Sequence, residues 1–303
     1  MLCGMNLSKL TRSAAVLGAC TYGLLTANAA LAAPPAPASS AAAATHASVS
    51  ANWAGYVARR RAGAGAHFRS VSGSWREPSA TCSPGSEADS AVWVGLGGYS
   101  ENARGLEQVG TDADCTGSGS PVYSSWYELL PAEPVNLELA VHPGDELVAS
   151  ATVIGDDVTL RIRNLSTGAR FSTTRHTSNL DTSSAEWIVE APSLCVNNQT
   201  CQVLPLTNFG QVAFSAASAV VGSHTGAVID PSWSATALEL QQPASSGARG
   251  RAGARVAPTH VTAAVPSTTS TLNGAFTVSW QQQSTQLEQP GPGPLPGFSG
   301  GSP

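Results

Sequence analysis

Two glutamates stand in a segment that otherwise has the composition of a buried strand, AEWIVEAP at Ala185–Pro192. Ionised carboxylates are costly to remove from water, so each acid must be partnered, held neutral or used in chemistry. Strand side chains alternate between faces, which places Glu186 and Glu190 on one face with Ile188. Four strand positions span roughly 13 Å, so these two acids cannot share a proton. Either their partners come from other strands, or this face is solvated.

Two further segments place polar groups on strand faces that could contribute such partners. In GLEQVGTD, Gln108 interrupts a compact segment next to a turn, and its carboxamide does not titrate. In VYSSWYELLP, Trp126 and Glu128 share one face, while Tyr127 lies on the other. A strand face that carries Trp beside Glu suits a groove that grips an extended polymer, and it is equally typical of a core edge with one polar residue.

The elements that position these residues are strands. Hydrophobic residues make up 42% of the 303 residues and charged residues only 12%, while glycine and proline number 30 and 20. About fourteen short strand-like segments follow residue 50, separated by turns such as His142-Pro143-Gly144-Asp145. No segment has the sustained 3.6-residue periodicity of a long amphipathic helix. These features predict an all-β fold, and so many strands in one region predict a sandwich of two sheets.

The N-terminal region has the pattern of a secretory signal peptide over residues 1–33. Lys9 and Arg12 precede an apolar stretch, and small residues follow it as a cleavage context. Residues 34–48 form an Ala, Pro and Ser linker or short pro-segment. We therefore expect a secreted, extracellular protein.

The rest of the chain divides by composition into one folded domain and a tail. We expect the β-sandwich domain to cover residues 49–281, interrupted by a flexible loop at 242–258. Residues 282–303 are rich in Gly, Pro and Gln, and we expect this tail to be disordered.

The charge balance argues against two classes of partner. The 15 basic residues include Lys9 and Arg12, so a mature chain would carry 13 against 20 acids. That acidic balance disfavours nucleic acid and anionic membranes as partners of the mature protein. We also expect a monomer.

Four cysteines remain beyond the predicted signal peptide, and four cysteines permit three pairings. Cys195 and Cys201 enclose a short loop and are expected to pair, which leaves Cys82 with Cys115. An oxidising compartment favours two structural disulfides over a metal site, because no CxxC or HExxH spacing is present. No metal and no cofactor is implied by the sequence.

Several catalytic signatures are missing from the sequence. The six histidines lie in the linker, in turns or at strand edges, and no GxSxG motif accompanies them. The Asp-Thr-Gly triplet of pepsin-like enzymes is also absent, since Asp181-Thr182-Ser183 lacks the glycine.

Five blocks in order together resemble the glutamic endopeptidases, the eqolisin or G1 peptidase family. They are SANWAG (Ser50–Gly55), AVWVGLGG (Ala91–Gly98), LEQVGTD (Leu106–Asp112), YSSWYELLP (Tyr123–Pro131) and AEWIVEAP. The resemblance extends from about Ser50 to Trp280. It implies a sandwich of two seven-stranded antiparallel sheets, concanavalin-like or jelly-roll-like, that hydrolyses peptide bonds of polypeptide substrates in acid.

The resemblance also implies site residues. The family's catalytic glutamine falls on Gln108 and its glutamate on Glu190, while Glu186 matches a nearby position with another role. The blocks around the substrate cleft nominate four residues for contact with substrate or support of the dyad: Trp93, Trp126, Tyr127 and Glu128. Fungal members often have an acid where Gly97 stands here, which is a departure from the pattern.

The chemistry of such a dyad follows from its groups. An ionised Glu190 can take a proton from water and later return it to the leaving nitrogen, while Gln108 supplies N–H donors to the oxyanion. Two alternatives remain open at this point. A glycoside hydrolase would use Glu128 and Glu190 as acid and nucleophile, and a lectin-like module would use the aromatic residues for sugar stacking without catalysis.

Overall fold

The chain folds as strands joined by tight turns, in a computed structural model that describes residues 47–61, 67–100, 103, 105–196, 200–243, 260–271 and 273–282. The predicted signal peptide, most of the linker and nearly all of the predicted tail lie outside these residues. Within the described residues, no helix is long and apolar enough to cross a membrane.

The described strands, in chain order, are β1 (Ala47–Ser50), β2 (Trp53–Arg60), β3 (Phe68–Arg76), β4 (Glu87–Ala88), β5 (Ala91–Gly97), β6 (Leu106–Thr116), β7 (Pro121–Leu129), β8 (Val135–Asn136), β9 (Glu146–Ile154), β10 (Asp157–Asn164), β11 (Arg170–His176), β12 (Ser184–Glu190), β13 (Ser193–Val196), β14 (Thr200–Val203), β15 (Gln211–Val221), β16 (His224–Ala227), β17 (Trp233–Pro243), β18 (His260–Pro266) and β19 (Phe276–Trp280).

Strand pairing produces two large, mainly antiparallel layers. The first sheet has the order β7-β6-β5-β12-β2-β17-β1, with only the β1–β17 pair parallel. The second has the order β11-β10-β9-β3-β15-β19-β18. Strand β18 also pairs with β17, so hydrogen bonding continues from one layer to the other. This arrangement confirms the predicted all-β sandwich.

Turn chemistry explains how neighbouring strands reverse direction. At the turn before β9, Asp145 N donates to His142 O at 3.1 Å, and Gly144 has a φ of +86° that favours glycine. The side chain of Asp145 caps the same turn by accepting from His142 N at 2.9 Å. The turn predicted at His142-Pro143-Gly144-Asp145 is therefore confirmed.

The main core lies between the two sheets and follows the period-two pattern of the strands. In β12, Ala185, Trp187 and Val189 are buried in this core, as their alternation predicted. They pack with large side chains of the second sheet, including Phe214 and Leu147. The opposite residues of β12 consequently face away from the core.

Two carboxyl groups are buried between the sheets, which the sequence did not reveal. Glu77 accepts hydrogen bonds from Thr111 Oγ1 at 2.6 Å and Trp75 Nε1 at 3.2 Å. Glu107 accepts from Asp181 N at 3.3 Å. Burial raises the pKa of each carboxyl to about 8, because the hydrogen bonds only partly replace water.

Both expected disulfides are present. Cys82–Cys115 joins the segment after β3 to the end of β6, and Cys195–Cys201 closes the β13–β14 hairpin. Strand β17 extends two residues into the segment predicted as a loop, because Gln242 Nε2 donates to Leu204 O at 2.8 Å and its Oε1 accepts from Leu206 N at 3.2 Å. The rest of that segment lies outside the described residues.

Candidate active site

A second apolar cluster covers the face of the first sheet that is turned away from the core, and we call this the outer face. It consists of alternate residues from neighbouring strands: Val57, Ala91, Trp93, Leu106, Trp126, Ile188 and Leu238, with Trp53 and Tyr99 packed against them. Polar candidates from β12, β6 and β7 alternate with these residues on the same face. The strand geometry therefore brings Glu186, Glu190, Gln108, Glu128 and Trp126 to one surface.

Glu190 is held by two neutral N–H donors on this face. Trp93 Nε1 donates to Glu190 Oε2 at 2.8 Å, and Asn52 Nδ2 donates to Oε1 at 3.0 Å. Burial raises the pKa of Glu190 to about 7, and the Trp93 hydrogen bond offsets only part of this effect. A carboxyl with this pKa can both accept and release a proton in acid to neutral solution.

Gln108 lies directly opposite Glu128 in the β6–β7 pair. Its Nε2 donates to Glu128 Oε2 at 2.5 Å, and its side chain is buried, with 4% exposed. Burial raises the pKa of the Glu128 carboxyl, while the Gln108 contact lowers it. The two side chains thus form a close cross-strand pair beside the apolar cluster.

Strand register separates Gln108 from Glu190 and places Trp93 between them. Gln108 lies opposite Gly95, which lies opposite Glu186, whereas Glu190 lies opposite Ala91. The Trp93 ring extends from Glu190 towards Gln108, and its far edge covers Gly95. A Cβ on Gly95 would lie 3.0 Å from the Trp93 ring and 3.2 Å from Gln108 Cβ. Glycine at this position therefore leaves room for the Trp93 ring and the Gln108 side chain side by side on the outer face.

Glu186 has no exposed surface, so the alternative of a solvated face is wrong for this acid. Neither of its carboxyl oxygens has a hydrogen-bond partner among the described residues. Burial raises its pKa well above the usual value, and the nearby Ser184 hydroxyl offsets little of this. Burial therefore favours the neutral form of Glu186, whose surroundings differ from those of the hydrogen-bonded Glu190.

The two neighbouring aromatic candidates on β7 have different surroundings. Trp126 lies on the outer face, where its Nε1 donates to Asp112 Oδ1 at 2.7 Å. Tyr127 lies in the core instead, where its ring stacks on Phe171 with centroids 5.9 Å apart and its hydroxyl accepts from Arg175 Nε at 3.2 Å. The structure therefore does not bring Tyr127 to the other site candidates.

Sequence reasoning missed three residues that contribute to the site. Asn52 donates to Glu190, and Trp53 packs edge-on against Trp93 with ring centroids 5.0 Å apart. Asp112 accepts from Trp126, and burial raises its pKa to about 7. Asp112 lies four positions after Gln108, so the period of two could have identified it as a neighbour on the same face.

Gly97, where the resemblance would lead one to expect an acid, lies directly beside Asp181. A Cβ on Gly97 would lie 2.6 Å from Asp181 Cβ and 2.9 Å from its Cγ. The Asp181 carboxylate accepts hydrogen bonds from Gly98 N at 3.2 Å and Ser183 N at 2.9 Å. An acid from the segment before β12 therefore occupies the space beside this glycine.

The Trp93 hydrogen bond gives a first testable prediction. Trp93→Phe keeps an aromatic ring but removes the N–H that favours ionised Glu190, so we expect a higher Glu190 pKa and a roughly tenfold lower kcat. The pH dependence of kcat measures both effects. Trp233→Phe is a matched control, because Trp233 belongs to the main core between the sheets, where its indole N–H donates to Val228 O. Similar profiles for both variants would contradict the prediction.

Metal binding at the outer face would require a cluster of His, Cys, Asp or Glu side chains. Among the described residues, no cluster of three or more His, Cys, Asp or Glu side chains has a suitable arrangement. The polar groups of the outer face are instead carboxyl, carboxamide and indole groups. Their chemistry is that of proton transfer and hydrogen bonding.

Comparison with known proteins identifies the family. The sequence profile of the Peptidase A4 family matches residues 51–250, and no curated protein sequence matches significantly. A crystal structure of scytalido-glutamic peptidase with a peptide-based transition state analogue is 22% identical, with a TM-score of 0.58, over 77% of this chain and 100% of that one. SCP-B, an eqolisin in complex with the tripeptide Ala-Ile-His, is 21% identical, with a TM-score of 0.57 and the same coverage.

These solved structures show the shared fold, and the profile match covers well over half of this chain. The match includes the segments that carry Gln108, Glu128 and Glu190. The chain therefore belongs to the Peptidase A4 family, the glutamic or G1 peptidases also called eqolisins, and is a peptide-bond hydrolase.

Proposed function

We propose that this protein is a secreted acid endopeptidase in which Glu190 and Gln108 form the catalytic dyad. The observation that carries the proposal is the state of Glu190, a half-buried carboxyl held by two N–H donors, one of them from the Trp93 ring whose far edge lies, like Gln108, beside Gly95. Perturbed carboxyl groups of this kind are typical of catalytic sites. The two disulfides fit an oxidising compartment and so support secretion.

Each member of the dyad has a distinct role in peptide hydrolysis. Ionised Glu190 takes a proton from the attacking water, and the protonated carboxyl then gives a proton to the leaving nitrogen. The Gln108 carboxamide donates N–H groups to the oxyanion that develops on the carbonyl oxygen. Trp93 and Asn52 keep the carboxyl in place through both steps, because their N–H groups do not titrate in this range.

The apolar cluster of the outer face supports binding of a polypeptide. Trp53, Trp93 and Trp126 provide large aromatic surfaces beside the polar groups, which suits an extended chain with apolar side chains. Family membership favours peptide bonds over the glycosidase and lectin-like alternatives. The pairing of Glu128 with Gln108 also gives this acid a partner that the glycosidase alternative does not require.

The proposal is tested by digestion of a denatured protein substrate from pH 2 to pH 8, with pepstatin or a chelator present. We expect internal cleavage with an optimum on the acid side of neutrality and no loss of activity with either compound. Abolition by pepstatin would indicate an aspartic peptidase, and abolition by the chelator would indicate a metallopeptidase. Either result would overturn the proposed mechanism.

A further inference from the structure

The orientation of the Gln108 carboxamide is unusual for an oxyanion donor. One N–H of Gln108 is committed to Glu128 at 2.5 Å, while its Oε1 is buried without a hydrogen-bond partner among the described residues. An oxyanion is stabilised by donors, and an acceptor oxygen nearby has the opposite effect. The observed arrangement thus directs one donor towards Glu128 and leaves an acceptor unsatisfied.

We propose that Glu128 is a positioning residue whose protonation turns the Gln108 carboxamide over, so that the amide presents an N–H group, in place of its oxygen, to the substrate carbonyl. This inference rests on the proposed function, because it assigns Gln108 the oxyanion. It adds a second carboxyl to the site, one that acts through Gln108 and does not itself touch the reacting atoms.

The hydrogen-bonding capacity of each group explains the turn. An ionised carboxylate only accepts, so it captures Gln108 Nε2, as the structure shows. A protonated Glu128 has an O–H donor and can satisfy Gln108 Oε1, and a half-turn of the carboxamide exchanges its oxygen and nitrogen with little change of shape. A buried polar atom without a partner is costly, and the turn gives Gln108 Oε1 a donor while its N–H groups become available to the substrate.

Among the described residues, Glu133 and Glu190 are the acids coupled to Glu128 by charge, the first in the turn that follows β7 and the second across the sheet on β12. Asp112 lies farther along the same face of β6, engaged by Trp126, and Glu186 lies in the same cross-strand row as Gln108. Arg175 lies on the other side of β7, against Tyr127. Negative neighbours make it easier for Glu128 to take a proton from solvent.

Glu128 also acts on Glu190 through charge. Its negative charge contributes to the raised pKa of Glu190, so protonation of Glu128 favours ionisation of Glu190. In the state that carries out hydrolysis, Glu128 is therefore protonated and Glu190 is ionised. Such a coupled pair predicts a bell-shaped rate profile, with activity lost in acid through Glu190 and lost towards alkaline pH through Glu128.

Glu128→Gln tests this inference, because glutamine has the same shape and can donate to Gln108 Oε1 at every pH. We expect the alkaline limb of kcat to disappear, so that activity at pH 8 relative to the optimum rises at least about tenfold over the parent protein. The acid limb should move to lower pH, since the repulsion on Glu190 is gone. KM should change little, because the oxyanion donor acts in the transition state.

Glu133→Gln is the matched control, since it removes a neighbouring negative charge from an exposed side chain without touching Gln108. This variant should keep both limbs. An unchanged pH profile in Glu128→Gln, in a protein that still cleaves peptide bonds, would overturn the inference and leave the proposed function intact. Absence of peptidase activity in the parent protein would instead overturn the proposed function.

A measurement on the parent protein covers the case in which Glu128→Gln fails to fold. The side-chain amide signals of ¹⁵N-labelled glutamine can be followed by NMR, with the Gln108 signal identified by its loss in Gln108→Met. We expect this signal to shift with the same midpoint as the alkaline limb of kcat. A signal that stays constant through that pH range would contradict the turning of the carboxamide.

Discussion

Glu190→Gln is expected to reduce kcat by about a thousandfold or more while leaving the fold intact. Proton transfer by a positioned group typically contributes about 10²–10⁴-fold, and Glu190 is assigned both transfers here. Glutamine retains the shape of the side chain and an oxygen that can accept from Trp93 Nε1. Steady-state cleavage of a peptide substrate measures the loss, and circular dichroism with thermal unfolding checks the fold.

Comparison variants make this result specific to the dyad. Glu146→Gln changes an exposed acid at the start of β9 in the second sheet and should keep full activity. Gln108→Ala should cost about 10²–10³-fold, the usual effect of removing one oxyanion donor. The double variant should lose little more than Glu190→Gln alone, since groups that act as a unit are not additive. More than about a tenth of parental activity in Glu190→Gln would refute its assigned role.

The second large effect is expected on stability, which should fall by several kcal/mol as the pH rises from about 5 to 8. Glu77 and Glu107 are 2% and 1% exposed, and burial raises the pKa of each to about 8. In the unfolded chain these carboxyls ionise near their ordinary pKa of about 4.3. Each group therefore destabilises the native state by about 1.4 kcal/mol per pH unit between these values.

The sign follows from which state binds the proton. Above about pH 4.3 the native protein keeps protons that the unfolded chain has lost, so rising pH favours unfolding until the folded pKa is passed. Asp145 and Asp230 act in the opposite sense, because hydrogen bonds lower the pKa of each carboxyl and their contribution is lost as the pH falls below about 4. Maximal stability is therefore expected near pH 4 to 5.

Denaturant unfolding at pH 4 to 8 measures this dependence. Glu77→Gln should flatten the slope, because it removes one of the titrating groups and keeps an acceptor for Thr111 Oγ1. Glu87→Gln, at an exposed carboxyl of β4, should leave the slope unchanged. A parent protein whose stability increases between pH 5 and 8 would show that these carboxyls are ionised in the native state.

The faces of the strands were predictable because side-chain alternation is a local property. The period of two placed Glu186 and Glu190 together and separated Trp126 from Tyr127, and the structure shows both arrangements. The resemblance nevertheless nominates Tyr127 for the site, because it applies to the whole block YSSWYELLP. Alternation alone would have assigned this residue to the core.

The neighbours of each strand could not be predicted in the same way. Strand β12 lies between β2 and β5, although more than eighty residues separate it from either in sequence. The contacts of Glu190 with Asn52 and Trp93 depend on this long-range pairing and on its register. The burial of Glu77 depends equally on the packing of one sheet on the other, which no local sequence pattern records.

The space beside Gly97 has a consequence for how relatives of this protein are compared. An alignment by position would record the loss of an acid at residue 97, yet a carboxylate lies beside that position in three dimensions, supplied by Asp181. In this chain the carboxyl group at that place belongs to the segment before β12. Residues 97 and 181 are best compared as one structural position, since a side chain at the first is compatible only with displacement of the second.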